Sequence, residues 1–182
     1  MSRWLNLPNF FTLLRVVLTP FVIQAIISGR HMVALELFAI AAFTDILDGA
    51  AARRLQLTTQ TGAYFDPIAD KLLLSGVFLA LSVARIVPGW LVAIIFGRDL
   101  LILTGVGMAI LFTSVRGFPP SVWGKASTFV QILTAVTWMA RNAFEIRVLD
   151  ALATAILWPC VGFTVWSGVD YVRRGVRIAR AH

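Results

Sequence analysis

The chain has 182 residues, 59% of them hydrophobic and 14% charged, and a formal net charge of +7. A mean hydropathy of +0.84 with six Trp and thirteen Phe lies far outside the soluble range, so its repeated apolar stretches read as bilayer-spanning helices. That excludes a soluble enzyme, and it excludes a nucleic-acid reader, because no soluble domain remains to carry a groove-reading element.

Six spans are expected, roughly at 9–28, 32–52, 64–84, 88–112, 123–140 and 149–171. The fold class is therefore an all-α integral membrane protein with six transmembrane helices, forming a single membrane domain over 1–182. No internal repeat, low-complexity tract or flexible linker interrupts it. Arg15 breaks the apolar run of the first span and no small-residue cleavage site follows, so this segment reads as a retained helix rather than a signal peptide. An arginine inside a span is expensive: Arg15 and Arg98 either snorkel, pair with an acid such as Asp99, or serve function. Cys160 in the last span is the single cysteine and reads as a small apolar core residue. Trp4, Trp90, Trp123 and Trp138 lie near span ends, where aromatic belts fix depth.

With six spans, Arg3, Arg53, Arg54, Arg116, Lys125, Arg173, Arg174, Arg177 and Arg180 fall on one side, against Arg30, Arg85, Arg141 and Arg147 on the other. The positive-inside rule places both termini on the cytoplasmic face. The basic tail from Arg173 to Arg180 suits anionic headgroups of membrane lipids.

Four of the nine acidic residues fall between two apolar stretches, as Asp45-x-x-Asp48-Gly49-x-x-Ala52-Arg53, eight residues, then Gly62-x-x-x-Asp66-x-x-x-Asp70. On a helix over His31 to Arg53, Asp45 and Asp48 share a face with Gly49 and Ala52. On a second helix from near Gly62, the spacing of four aligns Gly62, Asp66 and Asp70. Two carboxylate stripes joined by the turn from Arg54 to Thr61 can converge on one pocket. Like charges held that close require protons or cations, and clustered carboxylate oxygens suit Mg²⁺ or Mn²⁺, with two ions expected. Arg54 and Lys71 read as facing headgroups or water. Pro67 is compatible with a first-turn position; in a helix begun near Gly62 it would introduce a kink.

The segment from Asp45 to Asp70 matches, at every fixed position, the signature D-x-x-D-G-x-x-A-R-x(8)-G-x-x-x-D-x-x-x-D, and so resembles the CDP-alcohol phosphotransferases (CDP-alcohol phosphatidyltransferases). Asn6-Leu-Pro-Asn9 with Thr12, Arg15 and Pro20, and Phe65-Asp-Pro-Ile-Ala-Asp-Lys71, are similar to the phosphatidylglycerophosphate synthase and cardiolipin synthase branches. The likeness is looser beyond Lys71, carried by Arg98-Asp99 and Gly124-Lys125. It implies attack of an acceptor hydroxyl on the phosphorus of CDP-diacylglycerol with expulsion of CMP. By the same resemblance Asp45, Asp48, Asp66 and Asp70 are metal ligands, Asp66 bridging two ions and Asp70 also acting as general base. Gly49, Ala52 and Gly62 would admit the cytidine diphosphate closely, although small residues in membrane helices also serve helix packing. Arg53 offers a planar fork to phosphate, and Asn9, Thr12 and Thr59 would complete the CDP-lipid site. The positive-inside rule places the aspartate cluster, and so the active site, on the cytoplasmic face; a bacterial inner (plasma) membrane is the expected setting, and a homodimer is implied by the family alone.

For the acceptor, Arg98, Arg116, Lys125, Arg173 and Arg174 are the available cations, which favours an anionic alcohol. Glycerol 3-phosphate is the first expectation and phosphatidylglycerol the second. Many phosphatidylglycerophosphate synthases carry a further arginine eight residues after the fourth-span arginine. Here that position is Val106, and Arg98-Asp99 replaces an Arg-Glu pair, a lean towards the cardiolipin branch. A reading of another class is a small cation transporter, for which acids within broken spans are also suited.

Overall fold

The computed structural model describes the backbone of residues 7–55, 60–112, 121–144 and 146–180, and side chains within 13–44, 69–105, 107–108, 121–144 and 146–177. Six helices follow one another: α1 (Leu7–Ile27), α2 (His31–Leu55), α3 (Gln60–Val83), α4 (Gly89–Phe112), α5 (Val122–Phe144) and α6 (Arg147–Arg180). No strand occurs among the described residues. Large apolar side chains face outward on several helices, as with Leu13, Phe43, Leu103 and Trp158, a surface matched to lipid rather than water. Among the described residues one helix, over Arg147–Arg177, is long and apolar enough by itself to cross a bilayer; Leu13–Ile27 and His31–Thr44 are shorter apolar stretches.

The chain forms two compact units, one of residues 1–86 with 139–145 and one of 87–138 with 146–182. In the first, α1 packs against both α2 and α3. Its buried residues repeat at helical spacing: Val22 and Ile26 on α1, Ala34, Phe38 and Ala41 on α2, Leu73, Val77 and Ala80 on α3. Those intervals of three and four bury one stripe of each helix. The hairpin between α1 and α2 is closed at Gly29, with φ of 70°. Its amide donates to the Ile26 carbonyl at 3.1 Å and that of Arg30 to Ala25 at 2.9 Å. This paired cap requires a left-handed residue, which glycine adopts without a Cβ penalty. The end of α3 is closed in the same way, but there Arg85 takes the left-handed position, with φ of 57°.

Polarity along α1 and α3 follows from two contacts. Arg15 meets Asp70, while Ile23 and Thr19 lie against Gly76. Moving up one helix moves up the other, so α1 and α3 run parallel. A Cβ at Gly76 would stand 2.8 Å from Ile23 Cδ1 and 3.7 Å from Thr19 Cγ2, so glycine here permits the close approach.

In the second unit α4 packs against α6, and α5 is tied to α6 by buried side chains. Gln131 Nε2 donates to Thr164 Oγ1 at 3.1 Å and to Ser127 Oγ at 3.3 Å, and the two hydroxyls stand 3.3 Å apart. Within an apolar bundle such bonds hold helix pairs together. Ser121 starts α5, its Oγ accepting from the Gly124 amide at 2.9 Å, the N-cap role expected of serine. Trp123 and Trp166 meet edge to face with centroids 6.0 Å apart.

Three expectations are corrected. The turn between the second and third spans is shorter than Arg54 to Thr61: α2 continues through Leu55 and α3 begins at Gln60, so Pro67 lies eight residues into α3, beyond the first turn. Trp138 is buried, not a belt residue. The sixth helix extends to Arg180 rather than ending near 171, favoured by an ion pair between Asp170 and Arg174 at spacing four and by cations at a helix C-terminus.

Substituting Gly76→Ala should be tolerated, because the nearest atom is the movable end of Ile23. Gly76→Leu should wedge α1 from α3 at about 2 kcal/mol or more. Thermal unfolding in detergent measures both; equal stability of the Leu variant would refute the close seam.

Candidate active site

The motif occupies the C-terminal half of α2 and the N-terminal half of α3. Asp45, Asp48, Gly49, Ala52 and Arg53 precede the end of α2, and Gly62, Asp66 and Asp70 follow the start of α3. Asp48 stands about 10 Å along its helix from Leu55, and Asp66 about 9 Å from Gln60, at the usual helical rise. Four connecting residues cannot separate those helix ends by more than about 19 Å. Both acidic pairs thus lie on the helix halves that flank one short connection. Pro67 has no N–H, so the Ala63 carbonyl lacks its intrahelical donor one turn inside the motif. The side chains of Asn9, Thr12, Asp45, Asp48, Gly49, Ala52, Arg53, Gly62 and Asp66 lie outside the described residues, as do Thr59 and Arg116 entirely.

Asp70 is the motif acid whose side chain the structure describes. Its Oδ1 accepts from Nη1 of Arg15, in α1. The two partners differ sharply in surroundings: the Arg15 side chain is 1% exposed and the Asp70 side chain 46%. Arg15 therefore does not snorkel. Burying a guanidinium away from any counter-charge is strongly unfavourable, and Asp70 supplies the charge that offsets it. The Arg15 backbone is tied as well, its carbonyl accepting from Thr19 Oγ1 at 2.8 Å.

In the second unit Arg98 forms another polar centre. Its Nη1 donates to Asp99 Oδ1 at 2.9 Å and its Nη2 to Ser167 Oγ at 2.7 Å. Two glycines make room for it. A Cβ on Gly124 would lie 3.4 Å from Arg98 Nη2, and one on Gly168 3.6 Å from Arg98 Cγ. The buried Nε of Arg98 meets no acceptor among the described residues. Lys125 follows Gly124 in the first turn of α5 and is exposed. Arg173 lies over the Trp166 ring at 5.6 Å, and Arg174 Nε faces Asp170 Oδ2 at 2.9 Å. Arg98, Gly124 and Ser167 are thus brought together, whereas Arg173 and Arg174 engage neighbours on their own helix.

Two elements escaped the sequence reading. Asp70 as partner of Arg15 lies 55 residues away, and no local spacing announces it; the only signal was that an arginine within an apolar helix demands an acid. Ser167, which accepts from Arg98, and Ser121, which caps α5 at Gly124, are ordinary serines in sequence.

A family model described as CDP-alcohol phosphatidyltransferase matches residues 5–166. A "Probable phosphatidylglycerophosphate synthase" of Mycobacterium tuberculosis is 36% identical to this chain, over 97% of the chain and 84% of that protein. A "CDP-diacylglycerol--glycerol-3-phosphate 3-phosphatidyltransferase" of Pseudomonas fluorescens is 38% identical, over 93% and 89%. A "Probable cardiolipin synthase (CMP-forming)" of Drosophila melanogaster is 29% identical, over 92% of the chain and 50% of its own length.

Removing one partner of a largely buried ion pair should be costly, so Arg98→Leu is expected to destabilise by about 3 kcal/mol. The double substitution Arg98→Leu with Asp99→Leu should recover much of that loss. A double-mutant cycle read by denaturation checks it; additive losses would mean the pair does not act as a unit.

Proposed function

The chain belongs to the CDP-alcohol phosphatidyltransferase family of enzymes, and from that premise we propose that it transfers the phosphatidyl group of CDP-diacylglycerol to glycerol 3-phosphate, yielding phosphatidylglycerophosphate and CMP. The family works on CDP-diacylglycerol and an alcohol acceptor in a membrane-lipid setting. The observation that carries the choice of acceptor is the greater identity, over most of both chains, to relatives named for glycerol 3-phosphate. The buried Arg98, with an N–H left for an anion, supports a phosphate-bearing acceptor.

In the reaction the acceptor oxygen forms a bond to phosphorus while the bond to the CMP oxygen breaks, and the hydroxyl proton passes to Asp70 as general base. Asp70 presents a half-exposed carboxylate, a hard oxygen donor, and the three other acids of the motif lie on the same two helices. This donor chemistry fits Mg²⁺ or Mn²⁺, held in this reading by Asp45, Asp48, Asp66 and Asp70. Bound there, the ions supply charge stabilisation to the pyrophosphate. Arg53 grips phosphate oxygens, and Gly49, Ala52 and Gly62 leave room for the nucleotide beside Asn9, Thr12 and Thr59. The reading includes six spans in one membrane domain, both termini and the site on the cytoplasmic side of a bacterial plasma membrane, and a homodimer. Each helix is at least 21 residues long, enough for the hydrocarbon thickness at about 1.5 Å per residue.

A second acceptor, phosphatidylglycerol, is favoured by Val106 and by the Arg98–Asp99 pair in place of an Arg-Glu pair. The transporter alternative loses its support to the family assignment.

Purified protein given CDP-diacylglycerol and labelled acceptors should release CMP with glycerol 3-phosphate; product from phosphatidylglycerol alone would transfer the chain to the cardiolipin branch. Asp66→Ala should abolish turnover, and Asp70→Asn should reduce turnover more than nucleotide binding. Arg53→Ala should weaken CDP-lipid affinity, which equilibrium binding measures; unchanged affinity removes Arg53 from the site.

A further inference from the structure

We propose that Arg15 is a positioning residue for the reaction: from inside the bundle it fixes the orientation in which Asp70 is presented to the acceptor and to the divalent ions. The proposal rests on the reading above in one respect, the place of Asp70 in the reacting cluster.

The asymmetry of the pair carries it. An ion pair that merely glued two helices would bury both members, since exposure of either weakens the attraction. Here the cation is sealed, at 1% exposure, and the acid stands 46% exposed. The guanidinium reaches the carboxylate from the buried side of the pair, and the acid is the member left accessible. Asp70 also closes the series Gly62, Asp66, Asp70, whose spacing of four sets them on one face of α3. The contact therefore reaches the face that bears the motif.

The support beneath Arg15 is rigid. Thr19 Oγ1 binds the Arg15 carbonyl, Gly76 lets α1 close against α3 two helical turns above the pair, and Val22, Ile26, Val77 and Phe78 are fully or almost fully buried. A planar guanidinium constrains a carboxylate's direction as well as its place, which a lysine ammonium does not. Arg15 touches neither substrate nor ion in this account and acts only through Asp70.

The test uses the full-length protein in detergent with Arg15→Leu, Arg15→Lys and Asp70→Asn. Four quantities are read: kcat, KM for CDP-diacylglycerol, Mn²⁺ affinity of the protein without substrate, and Tm. Arg15→Leu should lower kcat by at least about 30-fold and leave KM within about threefold, as expected for lost orientation rather than lost binding. Its Mn²⁺ affinity should be unchanged or tighter, because a competing cation has been removed from beside a ligand. Arg15→Lys should lie between Leu and the parent in kcat, at a Tm close to the parent's. Should the Leu variant fail to fold, the Lys variant must show the same split, with kcat reduced and both KM and Mn²⁺ affinity kept.

Parallel loss of kcat, Mn²⁺ affinity and Tm in every Arg15 variant would make the residue structural only and overturn the proposal. A raised KM with kcat retained would put Arg15 on the substrate, and parental kcat in a folded Leu variant would leave it no role; both overturn it as well. If Asp70→Asn abolishes turnover while a folded Arg15→Leu keeps the parental kcat, the positioning role fails and the assignment of Asp70 stands. If Asp70→Asn is fully active, the assignment of Asp70 fails and the proposal with it.

Discussion

A positive charge cannot be left alone inside an apolar helical bundle, and much of the first unit is arranged around that constraint. Arg15 is nearly fully buried, so α1 must lie where an acid can reach it. The acid is Asp70 of α3. That contact fixes which helix α1 accompanies, and together with the approach at Gly76 it makes the two helices parallel. The hydrophobic stripes of α1, α2 and α3 close the bundle, but apolar packing is non-directional and tolerates sliding. The ion pair selects one register among those the stripes would allow.

The second unit obeys the same constraint with different means. Arg98 is served by a neighbouring acid and by a serine from α6, with two glycines clearing space. Ser127, Gln131 and Thr164 satisfy one another between α5 and α6. These polar groups hold one another in a medium that offers no water to do so. Both units thus place an arginine deep in a helix bundle, and in both its neighbours determine what the guanidinium can do. Arg15 meets an acid of the motif on another helix; Arg98 meets the acid beside it and a serine of α6.

Much of the helical layout was legible in sequence because it follows from hydropathy and turn chemistry. The starts of α1, α2, α4, α5 and α6 fall within about two residues of expectation, inside the usual uncertainty of such boundaries. The third helix begins at Gln60, four residues ahead of the apolar stretch expected from 64, because its first turn is polar, and it carries Pro67 as its eighth residue. The end of α6 was placed early because the arginines there mark the limit of apolar composition, not of helix. The family was legible for a different reason: eight specified positions at fixed intervals are a pattern that local spacing can reveal. The partner of Arg15 was not, because it depends on how α1 docks on α3, and a contact across 55 residues leaves no trace in local periodicity. Asp99, the acid named as a partner for the intramembrane arginines, does pair with Arg98; for Arg15 the partner is Asp70 instead.

The pairing of a first helix with a third has a consequence for biogenesis. During synthesis Arg15 is made 55 residues ahead of its counter-ion. An unpaired arginine at the centre of an apolar helix is disfavoured by about 3 kcal/mol. The first helix therefore gains a compatible apolar setting only when the third docks on it, and the two settle together rather than one after another.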